Sequence, residues 1–111
     1  MKFAIPLSIL PMDEIKPLGI AADEIGYDFL AVSDHLIHPE TFSVPYPYTD
    51  DGSVRWEQGT DWPDPVSTLS FLAGATKNIR FYTSVYVLPA RNPLRVCLLY
   101  TSPSPRDTIR S

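Results

Sequence analysis

The seven residues Phe29-Leu30-Ala31-Val32-Ser33-Asp34-His35 constrain this chain most. A continuous apolar run, rather than an alternating one, is the pattern of a parallel strand covered on both faces. This run passes directly into Ser-Asp-His, so the strand ends at a rim equipped for chemistry. In an α/β barrel, polar residues at the carboxyl end of such a strand point into the mouth of the site.

The flanking sequence supplies the rest of a βα pattern. Lys2–Ser8 is expected to form a first strand, irregular near Pro6. Ile15, Leu18, Ala22 and Ile25 recur at spacings of three and four, the apolar face of a helix. Pro17 is disfavoured in a helix interior, so the regular helix is expected to start near it, and Gly26 to stop it. Phe29–Ser33 is the second strand. Asp64-Pro65 offers an N-cap and first-turn pair for a second helix. That helix, with Val66, Leu69, Leu72 and Ala73 on its apolar face, is expected to end near Lys77-Asn78. Ile79–Leu88, rich in β-branched and aromatic residues, reads as a third strand.

Between the second strand and the second helix the periodicity dissolves. Residues His38 to Pro65 hold five prolines, two glycines and five aromatic residues. Long loops in compact domains are usually functional or disordered, and disordered segments are poor in aromatics. This loop is therefore expected to fold over something apolar. Tyr46, Tyr48, Trp56 and Trp62 serve either as a lid over substrate or as pins holding the loop down. Asp50-Asp51-Gly52 reads as a turn. The rings of Tyr82 and Tyr86 read as packing.

Asn92-Pro93 is primed to open a third helix, but that helix is not expected to form, because Pro103 and Pro105 prevent its continuation. The string from Cys97 to Asp107, CLLYTSPSPRD, is identical to a translated transposon-end sequencing adaptor. Residues 97–111 are accordingly set aside as a non-native tail, and residues 1–96 as the native part of one domain. Three strands and two helices are too few for a (β/α)8 barrel of about 250 residues. The expected fold class is α/β: the N-terminal three βα units of a TIM barrel, truncated.

Composition narrows the class. The chain has 111 residues, 44% of them hydrophobic, and a net charge of -4, which leaves no basic footprint for nucleic acid. No apolar run approaches the roughly 20 residues of a membrane span. Lys2 precedes an apolar run as in a secretory signal, but Pro6 and Pro11 interrupt it and Asp13 and Glu14 follow at once. The single cysteine excludes an internal disulfide, so the expected compartment is the reducing cytoplasm.

The run from Ala22 to Leu36 resembles the luciferase-like monooxygenase family, particularly its branch dependent on the deazaflavin coenzyme F420. The loop Tyr46–Gly52, the helix entry Trp62-Pro63-Asp64-Pro65, and Thr83–Pro89 with Arg91-Asn92-Pro93 agree in the same order. The resemblance implies a (β/α)8 barrel holding coenzyme F420, or alternatively FMN, at the carboxyl ends of its strands. It implies that Asp34 and His35 lie beside the reactive ring, with His35 catalytic and Asp34 orienting it or binding the ring's polar edge. It implies that Thr83, Ser84 and Val85 back the ring, with a cis peptide at Ser84-Val85. An imidazole can give or take the proton that accompanies hydride transfer to or from a small organic substrate. The parent protein is expected to be a homo-oligomer.

Other readings stay open at this point. His35 taken alone reads first as a satisfied rim histidine. Asp34, His35, His38 and Glu40 form a loose set of metal-ligand types, but no HExxH or HxH is present, and a solvated loop is the expectation. An FMN-dependent monooxygenase, a small non-catalytic ligand-binding module and a metal hydrolase are the alternative functions. The 111-residue chain itself, with open sheet edges, is expected to be inactive and prone to aggregate.

Overall fold

The computed structural model describes residues 1–101. Its elements are β1 (Ala4–Pro6), α1 (Met12–Ile25), β2 (Phe29–Val32), α2 (Pro65–Ala75), β3 (Arg80–Thr83), a 3-10 turn (Leu88–Ala90) and α3 (Pro93–Thr101). The strands form one parallel sheet in the order β1-β2-β3. This is the mixed α/β, parallel arrangement that the βα pattern anticipates.

Register shows why the strands pair as they do. Ile5, Leu30 and Phe81 align in one row across the sheet, while Ala4, Phe29 and Arg80 align in the next. Successive side chains on a strand face opposite ways, so the first row shares a face with Leu7, Val32 and Ile79. That face carries the core, where Leu7, Leu30, Val32 and Ile79 pack with Ile15 and Ala22 of α1 and Leu72 of α2. Leu30 and Leu72 are wholly inaccessible to solvent. On the other face Tyr82 meets Phe29 edge-on at 5.9 Å, and the Arg80 guanidinium lies 4.5 Å from the Phe29 ring.

The helices differ from expectation in instructive ways. α1 begins at Met12, not near Pro17, and Pro17 lies inside it. Proline removes only the bond that would reach Asp13, one turn back. The helix thus loses a single link in its solvent-facing first turns. Its buried residues are Ile15, Gly19 and Ala22, whereas Ile25 is exposed. At about 100° per residue, Ile25 sits about 80° round from Ile15 and in the final turn. Gly19 fills the seam instead, and a Cβ there would lie 2.8 Å from Leu72 Cδ2. Gly26 ends α1 with φ 95°, the left-handed stop that glycine favours.

α2 starts at the expected cap, with Asp64 accepting from the Ser67 amide at 2.9 Å. It buries Pro65, Thr68 and Leu72, and Ala73 is exposed. Thr68 is tolerated inside because its hydroxyl donates to the Asp64 carbonyl at 2.9 Å. The helix ends at Ala75, before Lys77-Asn78, whose amides donate instead to the Asp23 carboxylate together with that of Ile79. Those bonds, Lys77 first, pull the Asp23 carboxyl below its ordinary range against a partial burial cost.

Two corrections concern the end of the described chain. β3 is four residues long, not ten: its ladder stops where Ser84 N–H donates to the Val32 carbonyl at 2.8 Å. The Ser84-Val85 peptide is cis. α3 does form, through residues set aside as tail, because Asn92 Oδ1 caps the amides of Leu94 and Arg95 and the prolines fall beyond its last turn. None of its residues is buried, and Leu94, Leu98, Leu99 and Tyr100 are exposed. Local propensity makes this helix, with no core under it. Residues 102–111 of the expected tail lie outside the described residues.

Candidate active site

All three strands deliver a serine to the same end of the sheet. Ser8 follows β1, Ser33 follows β2 and Ser84 follows β3. The Ser8 and Ser33 hydroxyls are 2.6 Å apart, and Ser33 Oγ donates to the Ser84 carbonyl at 2.8 Å. The Asp34 amide donates to the Val85 carbonyl at 3.0 Å. The end of β2 thus holds Ser84 and Val85 by three separate bonds, at Val32, Ser33 and Asp34.

Asp34 is buried, with a side chain 2% exposed, and its carboxylate is fully engaged. Oδ1 accepts from Arg91 Nη2 at 2.5 Å, and Oδ2 accepts from Arg91 Nε at 3.2 Å and from the Val87 amide at 3.0 Å. Arg91 Nη1 donates at 2.8 Å to Asp64, so one guanidinium joins the end of β2, the cap of α2 and the loop after β3. Its face lies 5.2 Å from the Tyr86 ring. The hydrogen bond to Asp34 is the first reason that Arg91 holds its proton more tightly than usual, against some burial. Partial burial opposes ionisation of Asp64, but the bonds from Ser67 and Arg91 outweigh it and its carboxyl falls below the usual range.

His35 points the other way, into the aromatic loop. Its ring centroid lies 4.7 Å from Trp62, 5.2 Å from Trp56 and 6.2 Å from His38. Nε2 is buried without a hydrogen-bond partner, as is Nε1 of Trp62. Burial, and then the neighbouring His38, push the His35 pKa below the ordinary histidine value, with Asp34 opposing more weakly. The loop is fixed by Trp56 Nε1 donating to His38 Nδ1 at 3.1 Å, and by Tyr46 packed edge-on to Trp56 and Tyr48. Trp56 and Trp62 thus cover His35, whereas Tyr48 is 70% exposed. The Asp50-Asp51-Gly52 stretch is a turn, closed by Tyr46 N–H on the Gly52 carbonyl, with Gly52 at φ 72°.

The structure brings Asp34, His35, Thr83, Ser84 and Val85 to one end of the sheet, since Val32 pairs with Thr83 and the two strands run parallel. A cleft of about 180 Å³ there is lined by Asp34, His35, Leu36, Trp62, Pro63, Asp64 and Arg91. Asp34 is turned to Arg91 and Val87, with no bond to His35. Among the described residues no three His, Cys, Asp or Glu side chains converge as a metal site. No helix in that part of the chain is long and apolar enough to cross a membrane. Sequence reasoning missed the Ser8 and Ser33 contacts and the double role of Arg91. A signal for the serines was present, since IPLS, LAVS and FYTS each end an apolar stretch in serine.

Comparison with known proteins places the chain in a family. The family model described as luciferase-like monooxygenase matches residues 5–98. An uncharacterized protein of Mycobacterium tuberculosis is 28% identical over 96 residues, covering 86% of this chain and 33% of the relative. An uncharacterized protein of Mycobacterium bovis matches to the same extent. The chain thus spans about a third of the length of these curated relatives. No solved structure gives a significant match. With its family model matched along most of its length, the chain belongs to the luciferase-like monooxygenase family.

Proposed function

We propose that this chain is the N-terminal three βα units of a (β/α)8 oxidoreductase that moves hydride between coenzyme F420 and a small organic substrate. One observation carries the reading: a histidine stands at the carboxyl end of β2, covered by Trp56 and Trp62, with its buried Nε2 unpartnered. Unsatisfied buried polar atoms are rare and call for an explanation. A ligand group at that atom supplies one, and this is the fit between the residues present and the ring end of a flavin-type cofactor.

A deazaflavin or flavin bound here would supply two-electron hydride exchange. The chain's own residues then have separable tasks. His35 holds or releases a proton at Nε2, its low proton affinity keeping it ready to accept one. Thr83, Ser84 and Val85 back the ring with strand-end backbone that Ser33 and Asp34 hold in place. Trp56 and Trp62 keep water from the imidazole. The parent is taken to be a cytoplasmic homo-oligomer without nucleic-acid or membrane partners.

An FMN-dependent monooxygenase is the second reading, favoured by the family's own description. A parent of either kind needs further βα units after Val96. Resequencing the source DNA across that codon with a transposon-free library is expected to extend the frame. A persistent CLLYTSPSPRD followed by a stop would favour the small binding module instead. In the extended protein, His35→Asn should abolish turnover while cofactor affinity stays within a few-fold. Unchanged turnover contradicts the role given to His35. Oxygen consumption with reduced FMN would select the second reading.

A further inference from the structure

Asp34 and His35 are adjacent in sequence and line the same cleft, yet their side chains serve different partners. A carboxylate next to an imidazole ordinarily raises the proton affinity of the ring. Here both oxygens of Asp34 are spent on the Arg91 fork and the Val87 amide. A buried carboxylate stripped of its cation seeks another positive charge, because an uncompensated buried ion is costly. In this cleft the group that can become positive is His35, whose Nε2 is unpartnered.

We propose that Arg91 is a positioning residue for His35: by gripping both oxygens of Asp34 it holds that carboxylate away from the imidazole and leaves Nε2 of His35 open in the cleft. The proposal rests on the reading of His35 as the proton carrier and assigns a control on its charge. The charged and titratable groups around His35 are Asp34 beside it, His38 on the covering loop, Asp64 at the cap of α2 and Arg91 on the loop after β3. Of these, Arg91 stays cationic at any accessible pH, and its planar fork matches a carboxylate at two points, which lysine does not reproduce. Asp64 on the far side of the guanidinium keeps it pointed at the cleft.

The experiment is a side-chain NMR titration of His35 in the protein from the extended frame and in its Arg91→Met and Asp34→Asn/Arg91→Met variants. In Arg91→Met the His35 midpoint should rise by about one pH unit. In the double variant it should return to the parent value or below. An unchanged midpoint in Arg91→Met, or an equal rise in the double variant, overturns the proposal. If Arg91→Met loses its fold, Arg91→Lys decides, since lysine keeps the charge but not the two-point fork: a raised His35 midpoint supports the proposal, and an unchanged midpoint overturns it. No cofactor enters the measurement, so failure of the chain to bind coenzyme F420 would be a separate result.

Discussion

Trp56 donates its indole N–H to Nδ1 of His38 over 3.1 Å, and the same indole lies edge-on to His35 at 5.2 Å. The covering loop is therefore fastened by a histidine nitrogen that must stay unprotonated, since a protonated Nδ1 cannot accept. The chain's two tryptophans, Trp56 and Trp62, both belong to this cluster. Intrinsic fluorescence thus reports the cluster alone. His38→Phe, which removes the acceptor of the Trp56 N–H, should shift the emission toward that of solvent-exposed indole. An emission maximum unchanged in His38→Phe contradicts this fastening.

His35 predicts a pH dependence of stability. Burial lowers its folded pKa, so within and below the ordinary histidine range the unfolded chain binds more protons than the folded one. The stability tied to neutral His35 is present above that range and is lost as pH falls through the folded value. Denaturant midpoints measured from pH 8 to pH 5 should decline toward acid, and His35→Phe should flatten the decline. A slope of the opposite sign in the parent chain would count against it.

Asp64 has two partners of unequal worth. Its cap on the Ser67 amide is a local backbone bond, while the ion pair with Arg91 is on a side chain 40% exposed. Exposed pairs contribute little. Asp64→Ala should cost about 1 kcal/mol, chiefly from the lost cap, and Asp64→Ser, which keeps a cap, should recover most of it. Urea titration of both variants separates the two contributions.

Ser33 ties β1 to β3 through its hydroxyl. Removing it leaves the Ser84 carbonyl without that donor, and Ser33→Ala is expected to cost about 1 kcal/mol. Amide exchange at Asp34, which donates to the Val85 carbonyl beside it, should quicken as well. Unchanged exchange there would mean that the serine chain does not hold Ser84 and Val85.

Much of this fold can be read from local chemistry. The uninterrupted run Phe29–Val32 marks the central strand: Leu30 and Val32 are buried under the helices and Ala31 is buried on the other face. Phe29 beside it is only half-buried and Tyr82 is 43% exposed, so that second face is less covered than the run suggests. Asp64-Pro65 marks the start of α2 to the residue. Helix faces were less legible: Gly19 is buried and Ile25 is not, because side-chain size across the α1–α2 seam, rather than hydrophobicity, decides who faces Leu72. The length of β3 was overestimated because β-propensity continues through Val85–Leu88 while the backbone turns at Ser84. Ile9 adopts φ 67°, a conformation that a β-branched side chain resists and that nothing in its neighbours announces. At the site, adjacency in sequence put Asp34 beside His35, but the partner that engages its carboxylate, Arg91, lies 57 residues away. Pairings across that separation follow from topology and have no local signature.

The most direct test of the central claim is to titrate the protein from the extended frame with coenzyme F420 and with FMN, following the fluorescence of Trp56 and Trp62. The account predicts saturable quenching by coenzyme F420, tighter than by FMN, that survives His35→Asn and is weakened by substitution of Ser33. Quenching by neither cofactor at concentrations up to the millimolar range would contradict the assignment of this strand end as a cofactor site.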